Sequence, residues 1–160
     1  MNIYTVSFFG HRQIIENTLW IEKNLEVLID DIIRKHEYVE FLVGRDGDFD
    51  IISASVVRRV RKTLNYANAS LILVLPYPKA TILNHQNDFL QFYDNIEICE
   101  SSCNVHYKSA IQNRNKSMTD RSNLVVFYVQ YNQGGAYQTL QYAKKQHKNF
   151  INMANFNVQD

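Results

Sequence analysis

The chain has little of the residues that staple, kink or break a fold: two cysteines, two prolines and five glycines in 160 residues. Cys99 and Cys103 stand four apart with no second pair elsewhere, which fits neither a disulfide framework nor the four-ligand spacing of a structural zinc site. No apolar run approaches the ~20 residues needed to span a bilayer. Met1–Gly10 has no basic segment ahead of an apolar one, so no signal peptide is expected. Charge of one sign is lacking too, since 17 Lys and Arg face 16 Asp and Glu. A duplex-DNA binder usually carries a basic stripe, so this balance argues against one, although a small anion needs only a local cluster of donors. Both standard nucleotide fingerprints are missing: there is no G-x-x-x-x-G-K-[ST], and no G-x-G-x-x-G follows the first strand. That removes a P-loop ATPase and an ordinary dinucleotide dehydrogenase. The expectation is a cytoplasmic protein with no metal and no resident cofactor.

What is present is ordinary for one globular domain: 46% apolar and 21% charged residues. Apolar, β-branched runs predict strands at Ile3–Phe9, Val39–Val43, Ser70–Leu75 and Leu124–Val129, with shorter ones at Ile96–Cys99 and Phe150–Ile151. Between them lie amphipathic stretches. One is marked by Leu25, Leu28, Ile29, Ile32 and Ile33, another by Val56, Val57, Val60 and Leu64 and starting near Asp50. Lys108–Met118 predicts a further helix, and Gly134-Gly135 opens a last one through Lys145. Residues 79–107 read poorly, with only a short helix suggested at Phe89–Tyr93. Strand and helix alternate, and the strands Ile3–Phe9, Leu71–Leu75 and Leu124–Val129 are nearly continuous apolar runs, which predicts a single α/β, Rossmann-like domain. Its sheet should be mostly parallel, with helices on both faces, over residues 1–153, and 154–160 should form a polar tail.

In such sheets ligands bind beyond the carboxyl ends of the strands. Three strand-to-helix turns there carry glycine: Gly10, then Gly44 and Gly47, then Gly134 and Gly135. Glycine admits a close backbone approach, and a following helix N-terminus offers free N–H groups to an anion. His11 and Arg12 add an imidazole and a guanidinium at the first turn. Arg45 stands in the second turn, and Arg114-Asn115 in the helix before the fifth strand, a place where such a pair is usually at the surface. Asp46, Asp48 and Asp50 alternate as in a calcium loop, but Ile51 stands where that loop needs glycine and Val57 where it needs glutamate. Asp50 reads instead as a cap of the following helix.

Four motifs in order resemble the SLOG superfamily, which includes the YpsA-like proteins, DprA and the LOG-type phosphoribohydrolases. They are Phe8-Phe9-Gly10-His11-Arg12, Gly44-Arg45-Asp46-Gly47-Asp48-Phe49-Asp50, Arg114-Asn115-Lys116-Ser117-Met118-Thr119-Asp120, and Gly134-Gly135-Ala136-Tyr137-Gln138-Thr139 with Tyr142-Ala143. The likeness spans about residues 3–152 and is greatest for the YpsA-like branch. It implies a Rossmann-like fold and a pocket for a nucleotide or nucleotide-derived molecule. The ligand-binding residues it implies are Gly10, His11, Arg12, Gly44, Arg45, Gly47, Arg114, Asn115, Gly134, Gly135, Tyr137 and Thr139. In the LOG enzymes a glutamate after the Gly-Gly turn and an arginine on an earlier helix carry N-glycosidic hydrolysis. Arg114 matches that arginine, but Gln138 and Gln141 follow the turn here, and no carboxylate appears through Lys148. Asp50 and Asp120 are the candidate substitutes.

The function expected is therefore binding or sensing of a nucleotide-derived ligand. The rivals are a LOG-like nucleotide hydrolase and a DprA-like single-strand binder, which needs a basic groove with stacking aromatics. The expected partner is a nucleotide-derived small molecule, with no duplex nucleic acid and no membrane, and with a homodimer left open.

Overall fold

Continuous apolar runs become buried strands because helices cover the sheet on both sides. The computed structural model describes residues 1–102 and 105–154. Cys103 and residues 155–160 of the expected tail lie outside them, while Ala154 itself is buried. Six strands occur in the described residues: β1 (Ile3–Gly10), β2 (Tyr38–Val43), β3 (Ala69–Leu75), β4 (Asn95–Ile98), β5 (Leu124–Tyr128) and β6 (Phe150–Asn152). All neighbouring pairs are parallel, in the order β4-β3-β2-β1-β5-β6. β1 is central, with Val6 beside Leu124 on one side and Phe41 on the other. The strand order reverses direction between β1 and β5, and an open α/β sheet places its ligand crevice at that point.

Strand alternation sorts the core into two layers. Val6, Phe8, Leu71, Leu73, Val126 and Tyr128 face α1 (Thr18–Lys35) and α2 (Asp48–Thr63). Ile21, Leu25, Ile29, Ile32 and Ile33 supply the α1 stripe against them. Phe9, Ile72, Val74, Val125 and Phe127 face the opposite way, toward Met118 of α5 (Tyr107–Arg121) and Leu140 and Ala143 of α6 (Gly135–Lys145). The segment that reads poorly in the sequence holds two short helices, α3 (Ala80–Leu83) and α4 (Gln86–Phe92), ahead of β4. The first is a single turn and the second is mostly polar in its first half, so neither shows a clear helical period.

The inward stripe of α5 is Ala110, Arg114, Asn115, Met118 and Thr119. Its lower part packs on the sheet through Met118. Toward the carboxyl ends of the strands the same stripe is polar, so this helix does not seal the core there. Among the described residues no helix is long and apolar enough to cross a membrane.

Candidate functional site

The turns after β1, β2 and β5 and the polar part of α5 enclose a cavity of about 450 Å³. Gly10, His11 and Arg12 come from the first turn, and Gly44, Gly47 and Asp50 from the second. Arg114 and Asn115 come from α5, and Gly134 and Gly135 from the third turn. The fold thus brings together ten of the residues singled out in the sequence.

The polar wall is built around Arg114, which is 4% exposed although arginines inside helices normally face water. Its guanidinium donates to the Val74 carbonyl at 3.2 Å and to Asn115 Oδ1 at 3.0 and 3.1 Å. It also pairs with the Asp46 carboxylate at 3.4 Å. Asn115 passes the constraint on, donating to Thr139 Oγ1 at 3.2 Å, and Thr139 donates to the Gly135 carbonyl. Such a pair inside a helix usually faces water, but here it is buried and supports the third turn.

Asp46 also takes Lys79 Nζ at 3.1 Å. Burial alone would raise its carboxyl, but Arg114, Lys79 and Arg12 outweigh burial and hold it below the usual carboxylate range. Asp50 is in the opposite state. It opens only partly onto the cavity, and desolvation pushes its carboxyl up to about 6, with Arg114 opposing and Asp46 reinforcing the rise. Asp50 is not the cap foreseen for α2. The cap position is Gly47, without a side-chain bond, and Asp50 reaches back from the first turn to accept the Asp46 N–H at 3.1 Å.

His11 is 5% exposed, and its Nε2 accepts the Gln130 N–H at 2.8 Å. That bond requires the neutral ring with its proton on Nδ1. Desolvation lowers its pKa in the same sense. The β5–α6 turn is held from its other side by Asn152, whose amide bonds both the N–H and the carbonyl of Val129.

The glycines divide into two groups. A Cβ on Gly10 would stand 2.4 Å from Phe49, one on Gly44 2.9 Å from Arg114, and one on Gly47 2.7 Å from Arg12. Their close approaches are thus to protein atoms. Only Gly134, with φ +93°, and Gly135 face open space, with no atom within 4 Å of a built Cβ. Gly135 begins α6, whose first turn holds no acidic residue and whose cap forms no side-chain bond. Free N–H groups of this kind accept an anion.

Four sequence candidates stand apart from the cavity wall, one of them Thr139, which braces the third turn from behind. Arg45 turns outward and lies 4.8 Å over the Phe89 ring. Tyr137 packs against the second core layer, and Asp120 accepts the Tyr142 hydroxyl at 2.6 Å on the far part of α5. Asp46, Tyr131 and Gln133 line the cavity and were missed. Each sits within three residues of a glycine already singled out, and that proximity was the available signal.

No family model matches the chain, and no curated protein matches it in sequence. Solved structures resemble it in fold, among them two of one kind of protein. One is the X-ray structure of DNA processing protein A (DprA) from Streptococcus pneumoniae, with TM-score 0.61, 14% identity and coverage of 92% of this chain and 49% of that one. The other is DNA processing protein A from Helicobacter pylori, described for its single-stranded DNA binding mode, with TM-score 0.60, 14% identity and coverage of 92% and 63%. The chain thus spans less than two thirds of the length of either of those chains. The second structure corrects the expected partners, because a list without nucleic acid does not stand beside a neighbour described by how it binds single-stranded DNA. What the chain shares with these two structures is the fold.

Proposed function

We propose that the cavity binds a phosphate-bearing nucleotide or nucleotide derivative, in the manner of a sensing module related to the YpsA-like branch and placed in the cytoplasm. The observation that carries this reading is the open Gly134-Gly135 turn at the start of α6, in the same cavity as Arg12 and the buried Arg114. A phosphate there meets backbone N–H groups and the positive end of the helix, and charge-assisted bonds from Arg12 complete its shell. The neutral His11 Nδ1–H adds a donor for sugar or base. A melting-temperature screen of mononucleotides, dinucleotides, cyclic nucleotides, ADP-ribose and short single-stranded oligonucleotides tests the reading. Ligand at a hundred times its Kd stabilises by about 2.7 kcal/mol, or roughly 5–10 °C at about 2–4 °C per kcal/mol for this size. A flat screen on ligand-free protein overturns it.

Asp50 favours a second reading, N-glycosidic hydrolysis. A carboxyl whose pKa lies at about 6 beside an arginine is suited to proton transfer near neutral pH. Release of free base from AMP, abolished by Asp50→Asn and by Arg114→Ala, would make this the principal function. No release leaves binding alone.

A further inference from the structure

Tyr131 lies three residues beyond β5, and its ring rests flat on that of His11, with centroids 3.8 Å apart and planes 1° from parallel. The two rings differ in their surroundings. His11 is 5% exposed and fixed by the Gln130 N–H, whereas Tyr131 is 52% exposed and lines the cavity. One face of the phenol is therefore backed by a ring that does not turn, and the other is left open. An exposed tyrosine on a loop normally keeps its rotamer freedom and loses it on binding. Here the buried imidazole has already set the plane of the ring without covering its outer face.

The polar end of the cavity is close by. Gly135 is four residues further along the chain, within roughly 14 Å even if the backbone were fully extended. A molecule that joins a flat apolar part to an anionic part can therefore reach both ends. Aromatic rings stack on planar heterocycles whatever the pattern of ring substituents, which fits a platform with no hydrogen-bonding code of its own.

We propose that Tyr131, backed by His11, is the stacking platform for the base of the bound nucleotide, a subsite separate from the phosphate turn. This rests on the nucleotide reading of the cavity. It adds that affinity comes from the base as well as from phosphate, and that purine and pyrimidine nucleotides both bind, the larger purine surface more tightly.

Titration calorimetry with AMP, CMP and ribose 5-phosphate tests this on the full chain, its Tyr131→Ala variant and its Tyr131→Phe variant. AMP should bind more tightly than CMP, and both more tightly than ribose 5-phosphate. Tyr131→Ala should weaken AMP by roughly 5- to 150-fold, the range for loss of one stacked base, and leave ribose 5-phosphate unchanged. Tyr131→Phe should retain AMP affinity, because the stacking face and not the hydroxyl is used. Equal affinity for AMP and ribose 5-phosphate, or equal weakening of both in Tyr131→Ala, overturns the platform and leaves the phosphate site standing. Binding of none of the three compounds overturns the platform, and together with a flat thermal screen it overturns the nucleotide reading as well.

Discussion

Arg114 Nη1 lies where a side chain at residue 44 would have to go, 2.9 Å from the position of a Cβ on Gly44. The small residue after β2 and the buried cation on α5 are thus one feature, with the cation held against the backbone where Asp46 and the Val74 carbonyl can share it.

Gly44→Ala should displace that guanidinium. Overpacking of this kind costs about 1–3 kcal/mol, which corresponds to roughly 2–12 °C in Tm for a domain of this size. Nucleotide affinity should fall as well, because Asn115 and Thr139 support the Gly134-Gly135 turn through the same network. Melting with and without ligand separates the two effects. An unchanged Tm would show that Arg114 moves aside freely.

The carboxyl of Asp50 makes stability depend on pH in an uncommon direction. Its folded value of about 6 exceeds the ordinary aspartate value of 3.8, so the unfolded chain ionises first. Relative to acid conditions, stability is lost as pH rises from about 4 to 6, by up to about 3 kcal/mol. Asp50→Asn lacks this loss, and it retains an oxygen for the Asp46 N–H. In urea denaturation the variant should gain on the wild type between pH 4 and pH 7. His11 and the other carboxylates titrate in both proteins and cancel in the difference. A constant difference between the two would mean that Asp50 is solvated like an ordinary surface aspartate.

His11 should be observed by nitrogen NMR as the Nδ1–H tautomer, with a pKa below 6.5, since Nε2 is occupied by the Gln130 N–H and burial lowers the pKa. Protonation would break that bond and free the β5–α6 turn, so ligand affinity should decline as pH falls through the His11 transition. A ring protonated on Nε2 at neutral pH would contradict the hydrogen bond.

Asp120 should prove irrelevant to binding. Its carboxylate holds the Tyr142 hydroxyl and pushes that phenol up to about 12. Asp120→Asn should bring one tyrosine back toward 10 in an ultraviolet titration, while nucleotide affinity stays the same. Loss of affinity would draw the far part of α5 into the site.

The strands were legible because a buried parallel strand is apolar on nearly every position of both faces, as Leu71–Leu75 is throughout and Ile3–Phe9 is apart from Thr5 and Ser7. Alternation of strand and helix then placed Gly10, Gly44 and Gly134 at one end of the sheet. Less was legible where the meaning of a residue depends on what faces it. Arg114 reads as surface until Val74 and Asp46 are known to lie opposite. Gly10 and Gly47 read as ligand-facing until Phe49 and Arg12 are found against them. Tyr131 offers only its proximity to Gly134 as a signal until His11 is found beneath it, because exposed tyrosines are common.

The most direct test of a phosphate seat at Gly134-Gly135 is a proton–nitrogen NMR titration with the nucleotide that gives the largest thermal shift. The amides of Gly135 and Ala136 should move most and saturate together with those of His11 and Arg12, and Gly135→Val, which places a side chain in the open space above the turn, should abolish the response in a protein that remains folded. Shifts confined to another face, with the Gly135 and Ala136 amides unmoved at saturation, would contradict the account.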